Sequence, residues 1–130
     1  MLGLVIDDSR AMRLILRRIA VQLGFEVCEA GNGREALDLL AETGDDAIPQ
    51  VALVDWNMPE MDGLEFVIAV RGEPRLRGIT LIMVTSEGEQ SQIVKALAAG
   101  AHEYVIKPFT PDAIAEKLAL LGLLPDGVSA

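Results

Sequence analysis

The chain has 130 residues, a hydrophobic fraction of 51% and a formal charge of −9. That size and apolar content suit one globular domain and exclude a disordered chain. The acidic balance argues against binding the backbone of a nucleic acid, and the single cysteine, Cys28, excludes an intrachain disulfide and fits a reducing cytoplasm.

Leu4-Val5-Ile6 is a continuous apolar run, read as a strand buried on both faces. The residues around it lack the basic flank and the length of a signal peptide. No stretch reaches the roughly 20 apolar residues of a membrane span, so no membrane insertion is expected. Met12, Ile15, Leu16, Ile19 and Leu23 recur as one face of a helix, which Gly24 stops. Glu26 to Glu29 reads as a more polar strand near a sheet edge. Gly33 to Thr43 carries Ala36, Leu37, Leu40 and Ala41 at helical spacing, and Asp45 to Gln50 is a polar loop. Val51 to Val54 is the clearest buried strand. Turn signals fill Asn57 to Gly63, before a helix from Leu64 to Arg71 and a loop from Gly72 to Gly78. Ile79 to Val84 is the fourth strand, Ser91 to Ala99 a helix closed by Gly100, and Tyr104 to Ile106 the fifth strand. Thr110 caps a last helix, with Pro111 at its first position, that runs to about Leu121.

Five strand–helix units in regular alternation predict an α/β fold, doubly wound, with a parallel sheet covered by helices on both faces. One domain over residues 1–124 and a flexible tail over 125–130 account for the chain.

The informative residues follow the apolar strands. The first strand ends in Asp7-Asp8, the third in Asp55, the fourth in Thr85-Ser86 and the fifth in Lys107. In a parallel sheet these ends share the C-terminal edge, where ligands bind in open α/β folds. Each acid by itself reads as a solvated loop residue, and Asp8 or Ser9 also suits a helix cap. Their joint placement is harder to explain that way. Three clustered carboxylates repel one another, and a hard divalent cation such as Mg²⁺ relieves the conflict while leaving room for phosphate oxygens. Lys107 could then offset charge on a phosphoryl oxygen, and Thr85 could donate to another.

Four segments carry a family resemblance: Val5-Ile6-Asp7-Asp8-Ser9, Asp55-Trp56-Asn57-Met58-Pro59-Glu60-Met61-Asp62-Gly63, Val84-Thr85-Ser86 and Tyr104-Val105-Ile106-Lys107-Pro108-Phe109. Over nearly its whole length the sequence resembles bacterial response-regulator receiver domains, and within them the single-domain chemotaxis regulators. The resemblance implies a flavodoxin-like (βα)5 fold with strand order 2-1-3-4-5. It implies Asp55 as phosphoacceptor, Mg²⁺ (with Mn²⁺ able to substitute) on Asp8, Asp55 and the Asn57 carbonyl, and Asp7 as a ligand through water. Lys107 is implied to contact the phosphoryl group, Thr85 and Tyr104 to form a switch pair, and Asn57 and Glu87 to tune dephosphorylation. A cis Lys107-Pro108 bond is expected. Ser86 departs mildly from the pattern, where a smaller residue is commoner.

The implied partners are a sensor histidine kinase or histidine phosphotransferase, and a downstream effector read through the face of the fourth helix, fifth strand and fifth helix. The chain is expected to be a cytoplasmic monomer that assists its own phosphorylation without being an enzyme on other substrates. Arg10, Arg13 and Arg17 on the first helix read either as a solvated face or, with Leu14 and Val21, as a docking surface for an acidic kinase or phosphotransfer partner. Trp56 and Cys28 read as packing residues, and His102 has no ligand partner in its sequence neighbourhood. Asn57 stands where an aspartyl-phosphate phosphohydrolase needs a second Asp, and the acidic Asp7-Asp8-Ser9-Arg10 is unlike a flavin phosphate loop. A relay step that passes phosphate to a histidine phosphotransferase is the rival to chemotaxis.

Overall fold

The strands are short aliphatic runs whose alternate side chains go to opposite faces of one sheet. The computed structural model describes residues 1–124, so the expected flexible tail lies outside the described residues. The strands are β1 (Leu2–Ile6), β2 (Glu26–Ala30), β3 (Val51–Val54), β4 (Thr80–Thr85) and β5 (Glu103–Ile106). All are parallel, in the order β2-β1-β3-β4-β5. The helices are α1 (Arg10–Gln22), α2 (Gly33–Glu42), α3 (Gly63–Gly72), α4 (Gln90–Ala99) and α5 (Pro111–Leu120). The flavodoxin-like doubly wound fold expected from the sequence is the fold observed.

The alternation splits the core in two. Leu4, Ile6, Ala52, Val54, Leu81 and Met83 meet Ala36 and Leu40 of α2, Phe66, Val67 and Val70 of α3 and Ala96 of α4. Val5, Val51, Leu53, Ile82, Val84 and Val105 meet Leu16 and Ile19 of α1 and Ile114 and Leu118 of α5. Helix starts are capped as their sequences suggest: Ser9, Asn32, Asp62 and Thr110 each accept from a first-turn amide, and Asp62 with Glu65 forms a reciprocal capping box.

Two details differ from the sequence reading. Ile15, expected on the core face of the first helix, is exposed. The buried stripe is Leu16, Ile19 and Ala20, flanked by Met12 and Leu23, and Ile15 lies at its edge, about 40° from Ile19 and about 100° from Leu16. The two connections read as plain loops each hold one 3-10 turn, Asp45–Ala47 and Pro74–Leu76. Among the described residues no helix is long and apolar enough to cross a membrane.

Candidate functional site

β1 and β3 lie side by side at the centre of the sheet, so the residues that follow them meet at its C-terminal edge. Oxygen atoms of Asp7, Asp8 and Asp55 come within 4.8 Å of one another, a cluster that could hold a metal ion. Asp7 is buried at 1% exposure and Asp55 at 8%, whereas Asp8 opens to solvent. An all-oxygen set with one solvent-facing member suits a hard cation that keeps waters.

The buried acids have defined partners. Asp7 Oδ1 accepts from the Ser9 amide at 2.9 Å, and its Oδ2 from Lys107 Nζ at 2.8 Å. Lys107 Nζ is also 3.6 Å from Asp55 Oδ2, so the ammonium sits between the two carboxylates and closer to Asp7. Asp55 Oδ1 accepts from the Trp56 amide at 2.8 Å. Desolvation by burial, followed by the Asp7 charge, pushes the Asp55 carboxyl above the ordinary value of 3.8; Lys107, the Thr85 hydroxyl and the Trp56 amide oppose the rise. Lys107-Pro108 is cis.

Gly63 fixes the loop that follows Asp55. A Cβ at this position would overlap the Asp55 carbonyl oxygen, and the Gly63 amide donates to the Trp56 carbonyl at 2.8 Å. Only glycine allows α3 to start so close to the end of β3. Trp56 is buried in the core on the α2–α3–α4 side, in line with its packing reading.

Glu87 ties three elements together. Its amide donates to Thr85 Oγ1 at 3.3 Å, and its carbonyl accepts from Tyr104 OH at 2.5 Å. Its carboxylate accepts from Asn57 Nδ2. Thr85 is fully buried and Tyr104 half-buried, while Ser86 is exposed. Burial and the negative charges of Glu87 and Asp55 raise the Tyr104 pKa above its ordinary value, so its hydroxyl stays protonated as a donor.

The arginines of α1 divide. Arg10 is exposed and forms no ion pair among the described residues. Arg17 pairs with Glu29 Oε2 at 2.8 Å. Arg13 lies 3.4 Å from Glu29 Oε1 and donates to the Asp7 carbonyl at 2.6 Å. Two of the three charges in the expected basic stripe are therefore held by β2, because Glu29 faces the helix that covers its strand. Leu14 and Val21 are exposed, as the helical spacing predicts.

Sequence reasoning missed the bond from Arg13 to the Asp7 carbonyl and the constraint on Gly63. It also missed the place of His102, whose Nδ1 accepts from the Leu81 amide at 3.1 Å. The Asp62-x-x-Glu65 pattern was a readable cap signal; the other contacts join residues with no local signature.

The sequence and the fold have known counterparts. The family model for the response regulator receiver domain matches residues 4–119. A chemotaxis protein CheY homolog of Campylobacter jejuni is 47% identical over 116 residues, covering 88% of this chain and 87% of that protein. Chemotaxis protein CheY1 of Helicobacter pylori is 44% identical over 119 residues, covering 91% and 94%. Among solved structures, chemotaxis protein CheY4 of Vibrio cholerae superposes with a TM-score of 0.82 at 33% identity, covering 92% of this chain and 96% of that one. With the acidic cluster at the predicted sheet edge and a family match over most of its length, the chain belongs to the response regulator receiver domain family.

Proposed function

We propose that this receiver domain takes a phosphoryl group onto Asp55 from a phosphohistidine of a sensor histidine kinase or histidine phosphotransferase, in the cytoplasm, and that it serves chemotaxis. The observation that carries the chemistry is the meeting of Asp7, Asp8 and Asp55, with Lys107 between the two buried carboxylates. The names of the relatives in Campylobacter jejuni and Helicobacter pylori support the pathway.

In the proposed step, a lone pair on Asp55 Oδ2 forms the new O–P bond while the P–N bond of the donor breaks. The departing electron pair returns to the imidazole nitrogen. Asp55 Oδ1 is held by the Trp56 amide, which leaves Oδ2 to turn toward the donor. The raised Asp55 basicity favours attack while the group is ionised. Lys107 shifts from Asp7 toward the incoming oxygens and offsets their charge. The residues that would hold Mg²⁺ are Asp8, Asp55 and the Asn57 carbonyl, with Asp7 acting through water. When bound, the ion neutralises phosphoryl charge, so catalysis is mostly positioning and electrostatics.

A dianionic phosphoryl group beside Thr85 is a strong new acceptor for its hydroxyl. Thr85 and Tyr104 both bond to the Glu87 main chain, so a shift of Thr85 is passed to Tyr104 and on to the surface of α4, β5 and α5. That face is the proposed site for the effector. Asn57 and Glu87, hydrogen-bonded across the mouth, stand where water would reach the acyl phosphate and so set its decay.

The experiment is intact-mass measurement after incubation with acetyl phosphate and Mg²⁺. Wild type should gain one phosphate, lost on standing and not gained when Mg²⁺ is chelated beforehand, and Asp55→Asn should gain none. A phosphate of normal lability on Asp55→Asn would overturn the assignment.

A further inference from the structure

Asp8 is the exposed member of the cluster, and its carboxylate makes no hydrogen bond or ion pair among the described residues. No side-chain contact orients it, so where it can reach depends on the backbone that carries it. The Asp7 amide is still in register with the sheet, donating to the Ala30 carbonyl at 3.2 Å. Beyond that point the chain leaves β1, and Arg13 reaches back from α1 to donate Nη1 to the Asp7 carbonyl at 2.6 Å. The Asp7 carbonyl and the Asp8 nitrogen belong to one planar peptide unit. A bond to that oxygen fixes the plane from which the Asp8 side chain departs.

Arg13 is itself held in place. Its side chain is only 18% exposed, and its Nε lies 3.4 Å from Glu29 of β2, whose other oxygen takes Arg17. A charge-assisted bond to a carbonyl is stronger than a neutral one. The helix, the edge strand and the β1–α1 turn are thus tied at the peptide between the two acids.

We propose that Arg13 is a positioning residue for the cation end of the site: it locks the Asp7–Asp8 peptide so that Asp8 presents its carboxylate to the metal. This rests on the reading of the cluster as a Mg²⁺ site. Position and charge predict opposite signs. If Arg13 acted only as a nearby positive charge, its removal would strengthen binding of a divalent cation to the acidic cluster. If it positions Asp8, its removal weakens binding despite the lost repulsion.

The test is calorimetric titration of Mg²⁺ into wild type, Arg13→Gln, Arg13→Lys and Arg17→Gln, each with a thermal melt to establish folding. Arg13→Gln and Arg13→Lys should each weaken Mg²⁺ by about tenfold, the usual cost of losing a group that orients a metal ligand. Arg17→Gln removes the same charge from the same Glu29 without touching Asp7, and should bind at least as tightly as wild type. Should Arg13→Gln fail to fold, Arg13→Lys carries the test, since it keeps the charge and loses the fork that spans Glu29 and Asp7. Arg13 variants that hold Mg²⁺ as tightly as wild type overturn the positioning role alone. A wild type that binds no Mg²⁺ overturns the metal reading beneath it.

Discussion

At the edge of the sheet where β4 and β5 begin, Arg71 at the end of α3 gives its guanidinium to the backbone. It donates to the carbonyls of Gly100 at 3.0 Å, Arg77 at 2.8 Å and Ile79 at 3.1 Å. His102 Nδ1 lies 3.2 Å from the same guanidinium and accepts the Leu81 amide. Gly100, at φ 126, is the turn that lets this loop pass so close to Arg71. At the opposite edge, where β1 and β3 end, the buried groups are like charges, and one ammonium serves two carboxylates. The first edge spends its charge closing loops, and its donors are satisfied within the chain. The second keeps carboxylate oxygens in conflict, which lowers stability and leaves them open to a ligand.

The contrast breaks if the two edges answer to mutation with the same sign. Arg71→Ala should destabilise the fold by about 2–3 kcal/mol in urea denaturation, since several carbonyls lose a charged donor. Its phosphate uptake should persist wherever it stays folded. Asp55→Asn should instead raise the midpoint above wild type while abolishing uptake. Because the folded Asp55 pKa lies above its unfolded value, the charged form opposes folding at neutral pH; removing the charge removes that penalty. A lower midpoint for Asp55→Asn would show that the acidic cluster is not a source of strain.

A smaller effect separates chemistry from docking at the second edge. Leu14 is 46% exposed on α1 beside exposed Arg10. Leu14→Asp is expected to slow phosphotransfer from the cognate histidine donor about tenfold, as loss of a central interface contact does, with uptake from acetyl phosphate retained. Equal transfer rates would remove this surface from the partner site.

The smallest effect belongs to His102. Desolvation and then the Arg71 charge hold its pKa below the ordinary value of 6.5. Between the lower folded value and 6.5 the unfolded chain binds more protons, so His102 contributes stability above 6.5 that is lost as pH falls through that window. Protonation would also place a donor against the Leu81 amide. His102→Gln should flatten the fall in urea midpoint between neutral and mildly acidic pH. The comparison with wild type isolates it from Asp55, whose raised pKa acts in the reverse direction. An unchanged slope would remove His102 from the pH response.

The second edge was far more legible in the sequence than the first. Val51 to Val54 is apolar at every position and then stops at an acid, a transition that marks both a buried strand and its functional end. Asp7, Thr85 and Lys107 are marked in the same way, and parallel topology then gathers them. Thr110-Pro111 announced the last helix through local backbone chemistry. What stayed hidden depends on reach across the fold. The Leu81 amide that His102 accepts is 21 residues away, and nothing in either neighbourhood signals the pair. Arg13 bonds a carbonyl six residues back, around a turn, where helical spacing carries no information. Ile15 is as apolar as its buried neighbours, and periodicity within a turn could not separate a flank from a core face.

The bonds that Glu87 makes to Thr85 and Tyr104 use its amide and carbonyl, whereas its contact with Asn57 uses its carboxylate. In the proposed mechanism, transmission and timing thus occupy different atoms of one residue. On that proposal, an exchange at position 87 would alter how water approaches the acyl phosphate while the main-chain relay stays in place. Selection would then be free to lengthen or shorten the life of the signal without rewriting how it is heard.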